Sequence, residues 1–475
     1  METGFIATLH DWINIGNSIL WGNLMTYLLI GTGIYYTLRL GFPQITGFKH
    51  MWHVTLKGRK SEEGGITSFQ ALCTSLAAQV GTGNVAGVAT AIVSGGPGAV
   101  FWMWVTALVG MATIYGEAIL GQVYRVKGTD GLYRGGPAYY LERGLGQKWL
   151  AVLFSISIII AMPLIFNAVQ SNSIVSGLKG AWGFDTQKVG IGVIILTAIV
   201  IFGGLRRIAK VAEIVVPFMA ILYILGAVYI VLTHLPELPG VIAGVFKCAF
   251  GAQQVAGGVL GFTVAQAARF GIARGLFSNE AGMGSTPNAN AVADVRHPGR
   301  QGYAAMMGVF VDTIIICSCT AVILLLNPDV LTSGKTGVEA TQMAIMGEVG
   351  QWGVSFVAIA LCFFAWTSIL GNYYYGESNI MYLFGENKGC VTVFRLCVLG
   401  MIYFGATHSV PIVWDMADFF NGIMAMLNLI GVILLAGIAS AVKKDYDRRR
   451  SLGELDPYID RSQMKITTIK VELPE

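Results

Sequence analysis

A run of glycines and small polar residues, Val80–Gly87 (V-G-T-G-N-V-A-G), lies inside a hydrophobic segment. The whole segment, about 66–93, is long enough to cross a bilayer. Because glycine is a poor helix former, Gly81–Asn84 predicts a membrane helix that stops and restarts. Such backbone is tolerated at membrane depth where it is buried in protein or lines a cavity. The free N–H and C=O groups of the two half-helices can bind a carboxylate and a small cation, which favours an ion-coupled amino-acid carrier.

The same glycines have a simpler interpretation as helix-packing residues. Small residues spaced along a membrane helix let two backbones approach closely without any break. Gly81, Gly83 and Gly87 satisfy this pattern too, so the segment alone leaves both interpretations open.

The composition is that of an integral membrane protein. Hydrophobic residues make up 54% of the 475 residues and charged residues only 12%, whereas soluble domains have about 25% charged residues. The 61 glycines are about twice the usual share, and membrane helices are enriched in glycine. The first residues contain no basic stretch of the kind that begins a cleaved signal peptide.

Apolar segments of membrane-spanning length predict an all-α protein with about 11 transmembrane helices. Their approximate bounds are 17–38, 68–93, 99–124, 150–175, 188–204, 211–233, 253–277, 303–326, 352–373, 391–406 and 419–442. Basic residues cluster in alternate loops, at 39–60, 125–148, 206–210, 274–300, 388 and 443–450. The positive-inside rule then predicts an outside N-terminus and a cytoplasmic C-terminus. The expected location is the plasma membrane, taken to be a bacterial inner membrane.

Two segments outside the spans also carry information. Residues 43–57 alternate apolar and basic side chains, which fits either an amphipathic segment on the inner surface or an ordinary loop. The charged residues 443–475 predict a solvated or disordered cytoplasmic tail.

The eleven spans divide into one leading helix and two sets of five. This predicts a leading helix with a basic inner loop (1–64), a first repeat (65–235), a second repeat (236–442) and the tail (443–475). The second set begins with a span that is also interrupted by glycine, at Gly257, Gly258, Gly261 and Gly271. Since five is odd, the two sets enter the membrane from opposite sides, and broken helices in corresponding positions indicate a central transport site.

Several motifs resemble those of the alanine/glycine:cation symporter family, the sodium:alanine symporters. They are G-T-G-N at 81–84, G-G-P-G-A-V-F-W-M-W at 95–104, Y-G-E at 115–117 and R-G-L-F-S-N-E-A-G at 274–282. The likeness extends over about 31–442. It implies a leucine-transporter-like 5+5 inverted repeat with one extra leading helix, and import of alanine or glycine coupled to sodium or protons.

Other classes find little support in the sequence. No Ser/His/Asp, H-E-x-x-H or phosphate-loop pattern points to an enzyme, and no repeated filter motif points to a channel. The alternative that stays open is a proton-coupled carrier of a different small neutral amino acid. The expected partners are the amino acid, Na⁺ and the bilayer, with no nucleic acid, and the protein is expected to work as a monomer.

The substrate carboxylate needs hydrogen-bond donors, and a half-helix N-terminus supplies them. By the likeness to leucine-transporter-like carriers, the backbone of Thr82 and Gly83 binds the carboxylate, within the unwound stretch that begins at Gly81 and ends at Asn84. The Thr82 hydroxyl adds a contact to the substrate, caps the half-helix, or does both.

The substrate ammonium and side chain need acceptors and a small apolar wall. Asn167 and Gln170 lie within one turn of the fourth predicted span, and they contact either the substrate or a neighbouring helix. Phe166, Phe262 and Trp366 are the predicted walls that restrict the pocket to alanine or glycine, although each also fits an ordinary packing role.

A sodium ion requires several oxygen ligands. Thr367 and Ser368 place adjacent hydroxyls in the ninth predicted span. In the resembled fold such a pair completes a sodium site with broken-helix carbonyls, which here implies Ala77 and Val80. The competing interpretation is that both hydroxyls bond to the preceding turn of their own helix.

Two ionisable residues lie within predicted spans and are functional candidates on that ground. We expect Glu117 to pair with a basic residue near Arg125 as a strut at the inner side. Asp312 is expected to tune an ion site or to carry a proton.

Overall fold

The computed structural model describes residues 4–61, 64–251, 253–254, 261–408, 411–454, 456–460, 464–467 and 470–473. This part of the chain is mostly α-helical. The helices of the first half are α1 (Gly4–Ile19), α2 (Met25–Arg39), α3 (Pro43–Thr46), α4 (Phe48–Lys57), α5 (Ser68–Gln79), α6 (Val88–Gly95), α7 (Gly98–Val123), α8 (Pro137–Arg143), α9 (Lys148–Ile159), α10 (Asn167–Trp182), α11 (Thr186–Ile201) and α12 (Gly204–Thr233). Those of the second half are α13 (Leu238–Phe250), α14 (Val264–Asn279), α15 (Thr286–Ala291), α16 (Pro298–Val309), α17 (Ser318–Leu326), α18 (Gly337–Val349), α19 (Gln351–Phe384), α20 (Lys388–Thr407), α21 (Pro411–Leu434) and α22 (Ala436–Ser451).

Shorter elements connect the helices. Widened π-helical turns join consecutive helices at Leu20–Leu24, Gly83–Gly87, Ile160–Phe166 and Phe310–Cys317, and a 3₁₀ turn covers Pro328–Leu331. Antiparallel two-stranded pairs are formed by β1 (Val126–Lys127) with β2 (Tyr133–Arg134), β3 (Gln253–Gln254) with β4 (Gly261–Phe262), and β5 (Lys465–Thr467) with β6 (Lys470–Glu472).

Seven helices among the described residues are long and apolar enough to cross a membrane, or eight if one bent pair is a single span. The seven are α7, Lys148–Trp182, α12, Pro298–Leu326, α19, α20 and Trp414–Leu434 of α21. The bent pair is α5 with Gly83–Gly95, and the two parts differ in direction by 51°. The chain is therefore a multi-pass membrane protein, while the number eleven and the sidedness of its termini stay predictions.

Helices α11 and α12 present an uncovered apolar surface. On α11 the exposed side chains are Ile191, Ile195 and Ile199, which recur every fourth residue and so share one face. Large apolar residues are likewise exposed along α12, at Ile214, Phe218, Ile221 and Leu225. A wide apolar face without a protein partner is expected where a helix contacts lipid.

The two interrupted helices begin with the same local signal. Thr67 and Gln70 form a capping box at the start of α5, and Thr263 and Gln266 form one at the start of α14. In each box the threonine side chain accepts from the backbone N–H of the glutamine, and the glutamine side chain accepts from the backbone N–H of the threonine, at 3.0–3.1 Å. These reciprocal bonds satisfy N–H groups that have no partner within a helix start.

Of the four glycines expected to interrupt the second of these helices, only Gly271 lies within a described helix. Gly257 and Gly258 lie outside the described residues, and Gly261 belongs to β4. Helix α14 is continuous through Gly271, so the predicted interruption there is wrong. A side-chain carbon at this position would lie 2.3 Å from the carbonyl oxygen of Ala99, so Gly271 allows close packing of α14 on α7.

The helical path instead stops just after α14. Glu280, Gly282 and Gly284 have positive φ angles of 58°, 90° and 81°. Glycine adopts this conformation without steric cost, but an L-residue such as glutamate does so at a cost. Helix α15 begins directly afterwards, so the interruption covers about 280–285.

The first part of the predicted tail is folded. Helix α22 continues to Ser451, and the side chains of Asp445 and Tyr446 are buried. Asp445 accepts hydrogen bonds from His297 at 3.1 Å and from Arg449 at 2.8 Å. The Tyr446 hydroxyl lies 2.9 Å from the ring Nε2 of His50. The prediction of a solvated or disordered segment is wrong for 443–451, because ion pairs within the helix and the distant partners His297 and His50 hold it in place.

Candidate functional site

The backbone after α5 departs from the helix at Val80, which is extended with φ −78° and ψ 90°. The N–H of Val80 still donates to Leu76, but the N–H of Gly81 donates to the side chain of Asn84 at 2.8 Å. Ala77 therefore loses the donor that a continuous helix would provide to its carbonyl. The side chain of Asn84 thus stabilises the break by binding the N–H of Gly81, and the carbonyl of Ala77 is left without its helical donor.

Thr82 is bonded to Gln170 of α10 across this break. Its backbone N–H lies 3.0 Å from Gln170 Oε1, and its hydroxyl donates to the same oxygen at 2.7 Å. Both residues are buried. The two donors converge on one carbonyl-type oxygen, which is the arrangement that a carboxylate oxygen accepts. The structure therefore brings these two predicted site residues together, in the form of a bond between helices.

Ser368 of α19 faces the freed carbonyls. Its hydroxyl lies 3.1 Å from the carbonyl oxygen of Ala78, 3.3 Å from that of Val80 and 3.0 Å from that of Phe364. Of the predicted ion ligands, Ser368 and Val80 are thus adjacent, and Ala78 joins them beside the predicted Ala77. Main-chain carbonyls with a neutral hydroxyl form an oxygen-rich environment of the kind that binds hard cations.

The neighbouring Thr367 has different contacts. Its hydroxyl donates to the carbonyl oxygens of Phe363 and Phe364, each at 3.0 Å, and lies 3.5 Å from the sulfur of Met219 in α12. Within the described part of the chain this hydroxyl has no hydrogen bond to the break. Bonding to the preceding helical turn is what the competing interpretation expected, and the role of Thr367 in an ion site stays a prediction.

Asp312 lies at the other side of the break, in the π-helical turn Phe310–Cys317, and is fully buried. Its carboxylate accepts from Asn84 Nδ2 at 2.6 Å, from Ser278 Oγ at 2.9 Å and from Thr313 Oγ1 at 2.6 Å. In the described residues no basic side chain pairs with it. A buried carboxylate with neutral donors alone is a site where a cation or a proton is favourable.

The two interruptions are joined directly. Gln79, the last residue of α5, donates through Nε2 to the carbonyl oxygen of Asn279, the last residue of α14, at 2.6 Å. Gln79 Oε1 and Asn279 Nδ2 are buried and have no hydrogen-bond partner in the described part of the chain. One acceptor and one donor without a partner among the described residues thus lie where the two interrupted helices meet.

Glu117 of α7 supports the second interruption. Its carboxylate accepts from the backbone N–H of Gly282 at 3.0 Å and from Asn428 at 2.5 Å. The expected pairing with a basic residue near Arg125 is therefore wrong. The unwound backbone at Gly282 has an N–H without a helical partner, and a buried carboxylate satisfies it.

Three aromatic rings stack in a row, and the middle ring, Phe277, lies beside the first break. Phe277 stacks on Phe166 with centroids 4.5 Å apart and on Trp414 at 5.4 Å. A side-chain carbon at Gly83 would lie 3.0 Å from the Phe277 ring. The predicted wall residue Phe166 therefore contacts the ring that lies beside the break, and its role as a wall stays a prediction, whereas Phe277 and Trp414 were not predicted as walls.

The remaining predicted residues are elsewhere or undescribed. Asn167 uses both ends of its amide toward α19: it donates to the Ile369 carbonyl at 3.2 Å and accepts from Asn372 at 3.0 Å, so it bridges two helices. Trp366 packs against the core, and its ring N–H has no partner among the described residues. The side chain of Phe262 lies outside the described part of the structure.

Sequence reasoning missed Gln79, Ser278 and Asn279 as site residues. Gln79 and Asn279 are the last residues of α5 and α14, and Ser278 is the residue before Asn279. Ser278 and Asn279 also stand inside the R-G-L-F-S-N-E-A-G motif. Polar side chains next to a glycine-rich interruption are a usable signal, because they need partners at membrane depth.

Comparison with known proteins supports these observations over nearly the whole chain. The model of the "Sodium:alanine symporter family" matches residues 6–461. The amino-acid carrier protein AlsT of Bacillus subtilis is 47% identical over 447 residues, covering 94% of this chain and 93% of that protein. The sodium/alanine symporter AgcS of Methanococcus maripaludis is 42% identical over 446 residues, covering 92% and 97%. The probable sodium/glutamine symporter GlnT of Bacillus subtilis is 43% identical over 458 residues, covering 96% and 94%.

A solved structure of a Na⁺-coupled sialic acid symporter in a substrate-bound outward-open state has a TM-score of 0.50 to this chain. Sequence identity is 12%, and the match covers 90% of this chain and 86% of the other. At that identity the similarity concerns the fold alone, which is the leucine-transporter-like fold implied by the motifs.

Apolar spans packed around an interrupted helix, in a chain matched by a symporter family and by amino-acid carriers, define a secondary membrane carrier. The chain belongs to the sodium:alanine symporter family, which confirms the resemblance seen in its motifs. It is accordingly a symporter of amino acids with sodium as its coupling ion.

Proposed function

We propose that the protein imports alanine or glycine together with sodium across the plasma membrane, by alternating access around a site between the two interrupted helices. The observation that carries the proposal is the pair of Thr82 donors held on one oxygen of Gln170. A substrate carboxylate takes the place of that oxygen on Thr82 and Gly83, and the released Gln170 amide contacts the substrate. The stacked Phe166 and Phe277 rings limit the side chain to a small one.

Sodium binds where Ser368 meets the carbonyls of the first break, with Ala77, Val80 and Thr367 as further ligands. The short distances from Ser368 to Ala78 and Val80 support this assignment. Asp312, with Asn84 and Ser278, provides a second position that takes a cation or a proton. One sodium ion that moves inward across a membrane potential of about 100 mV gains about 2.3 kcal/mol. This free energy is enough for nearly fiftyfold accumulation of a neutral substrate.

The proposed architecture is a leading helix followed by two inverted five-helix repeats, 65–235 and 236–442, giving eleven spans. The identical capping boxes that begin α5 and α14, each followed by an interruption, support corresponding positions in two repeats. The N-terminus is outside, the C-terminus is cytoplasmic, and the monomer is the working unit.

A larger cargo is the second candidate, because the relative GlnT is a probable sodium/glutamine symporter at 43% identity. The test is uptake of labelled alanine into proteoliposomes, with a sodium gradient at constant pH and a pH gradient at constant sodium imposed separately. Unlabelled glycine and glutamine are added as competitors. We expect accumulation with the sodium gradient and competition by glycine. Competition by glutamine alone supports the larger cargo, and accumulation with the pH gradient alone contradicts sodium symport of alanine.

A further inference from the structure

A basic pocket lies away from the transport site, between α4, the start of α16 and the C-terminal segment. Its volume is about 510 Å³, and it is lined by His53, Val54, Leu56, Lys57, Arg59, Lys60, Arg296, Arg300, Tyr446 and Asp456. Five of these side chains are Lys or Arg, and one is an acid, Asp456, which pairs with Arg300 at 2.5 Å. The lining therefore has an excess of positive charge, which favours an anionic ligand.

A second basic pocket of about 350 Å³ adjoins the first, since His53 lines both. It contains Lys49, His50 and Arg450, with Glu454 as its acid. Burial, together with the positive charges of Arg450, His53 and Arg300, lowers the pKa of His50 to about 3. The positive potential thus extends across both pockets.

The first pocket also opens onto an apolar surface. Leu56 lines it and is 69% exposed. Ile45, Trp52 and Leu56 lie on one exposed stripe of the short helices α3 and α4, whereas Met51 and Val54 are buried on the opposite side. A tryptophan and aliphatic side chains on an exposed amphipathic helix are typical of the membrane interface.

We propose that this double pocket binds an anionic phospholipid with two phosphates, of the diphosphatidylglycerol type. One phosphate lies among Lys57, Arg59 and Lys60, the other near Lys49 and Arg450, and the acyl chains lie along Leu56 and Trp52. Two adjoining basic pockets beside an apolar stripe match a headgroup that has two phosphates and is attached to acyl chains. The bound lipid connects α4 to α16 and to the C-terminal segment, on the face that is cytoplasmic in the proposed orientation.

The test uses the purified full-length protein in detergent, titrated with diphosphatidylglycerol, phosphatidylglycerol, phosphatidylcholine or inorganic pyrophosphate. Bound lipid is counted by native mass spectrometry, and the thermal unfolding midpoint is followed in parallel. The variant Lys57→Gln/Lys60→Gln is compared with Arg206→Gln/Lys210→Gln, which removes two exposed basic residues from the first turns of α12, on the same predicted side. The charge-retaining variant Lys57→Arg/Lys60→Arg controls for folding.

We expect diphosphatidylglycerol to bind and to raise the midpoint in the wild type, in the control and in the arginine variant. In Lys57→Gln/Lys60→Gln its affinity falls about tenfold. Equal affinity in that variant overturns the proposal. If phosphatidylcholine stabilises the protein equally, the proposal is overturned in favour of nonspecific lipid binding. If phosphatidylglycerol stabilises it equally, the requirement for a headgroup with two phosphates is overturned. If pyrophosphate alone stabilises it, the proposal is overturned in favour of a soluble anion.

Discussion

The side-chain oxygen of Gln170 accepts two hydrogen bonds from Thr82, one from the backbone N–H at 3.0 Å and one from the hydroxyl at 2.7 Å. The backbone donor is available only because the helix stops at Val80. The interruption of the helix and the side chain of Gln170 in α10 therefore depend on each other, since the bond between them needs both.

Thr82→Val removes the hydroxyl donor but keeps the backbone N–H and the side-chain volume. A hydrogen bond to a charged group contributes about 1.5–3 kcal/mol, so the KM for alanine should rise about tenfold to a hundredfold. The control is Thr74→Val, since the Thr74 hydroxyl donates to Gln70 in its own helix. Uptake kinetics in proteoliposomes measure both variants, and an unchanged KM in Thr82→Val would remove this hydroxyl from the substrate site.

Gly81→Ala should abolish uptake, whereas Gly87→Ala should leave it nearly unchanged. A side-chain carbon at Gly81 would lie 2.2 Å from Ser368 Oγ, but one at Gly87 would meet no atom within 4 Å. Surface expression and monodispersity in detergent show whether each variant folds. Normal uptake by a folded Gly81→Ala protein would be incompatible with the close contact between the break and α19.

Ser368→Ala removes the hydroxyl that faces the carbonyls of Ala78 and Val80. We expect the sodium concentration for half-maximal uptake to increase about tenfold, with the maximal rate at saturating sodium less affected. Thr367→Ala tests the second predicted hydroxyl. Ser173→Ala is the control, because in the described part of the chain the Ser173 hydroxyl bonds to Val169 of its own helix alone. A sodium dependence that is the same in Ser368→Ala, Thr367→Ala and the wild type would exclude both hydroxyls from the ion site.

Asp445→Asn should destabilise the protein at neutral pH. Burial raises the pKa of this carboxyl, but hydrogen bonds from His297, Arg449 and Arg448 lower it more, and the result is a pKa well below the usual value. The carboxylate thus stabilises the fold above the unfolded pKa of about 3.9, and this contribution is lost as the pH falls through the lower, folded pKa.

The apparent unfolding midpoint of Asp445→Asn should be lower than that of the wild type at pH 7, and the difference should shrink as the pH falls below about 4. Intrinsic fluorescence in detergent measures both proteins across this range. Asp11→Asn, at an exposed position, serves as the control. A difference that is constant with pH would mean that the charge of Asp445 does not contribute.

The first interruption and its partner were predictable because both follow from local chemistry. Gly81 and Gly83 weaken the helix, Thr82 offers a donor, and a buried Gln170 must find a partner at membrane depth. The sequence left open whether Gln170 contacts the substrate or a neighbouring helix, and its bond to Thr82 is seen only in the structure.

The second interruption could not be located from glycine content. Gly271 and Gly282 are the same residue type in similar surroundings, yet one lets α14 pack on α7 and the other turns the chain at φ 90°. Packing between helices distant in sequence decides between these uses. The same holds for Asp445, whose charge predicted exposure and whose partner His297 lies 148 residues away.

The hydrogen bond from Gln79 to the carbonyl of Asn279 couples the interruption after α5 to the interruption after α14, so neither can move without the other while the bond is intact. When one half of the molecule moves against the other, the two interruptions must either move together as one rigid body or lose this buried hydrogen bond. Losing the bond costs about 1–3 kcal/mol. That cost is similar to the energy that one ion gains by crossing the membrane potential. Breaking this one contact would therefore use an amount of energy comparable to what the entry of one ion supplies.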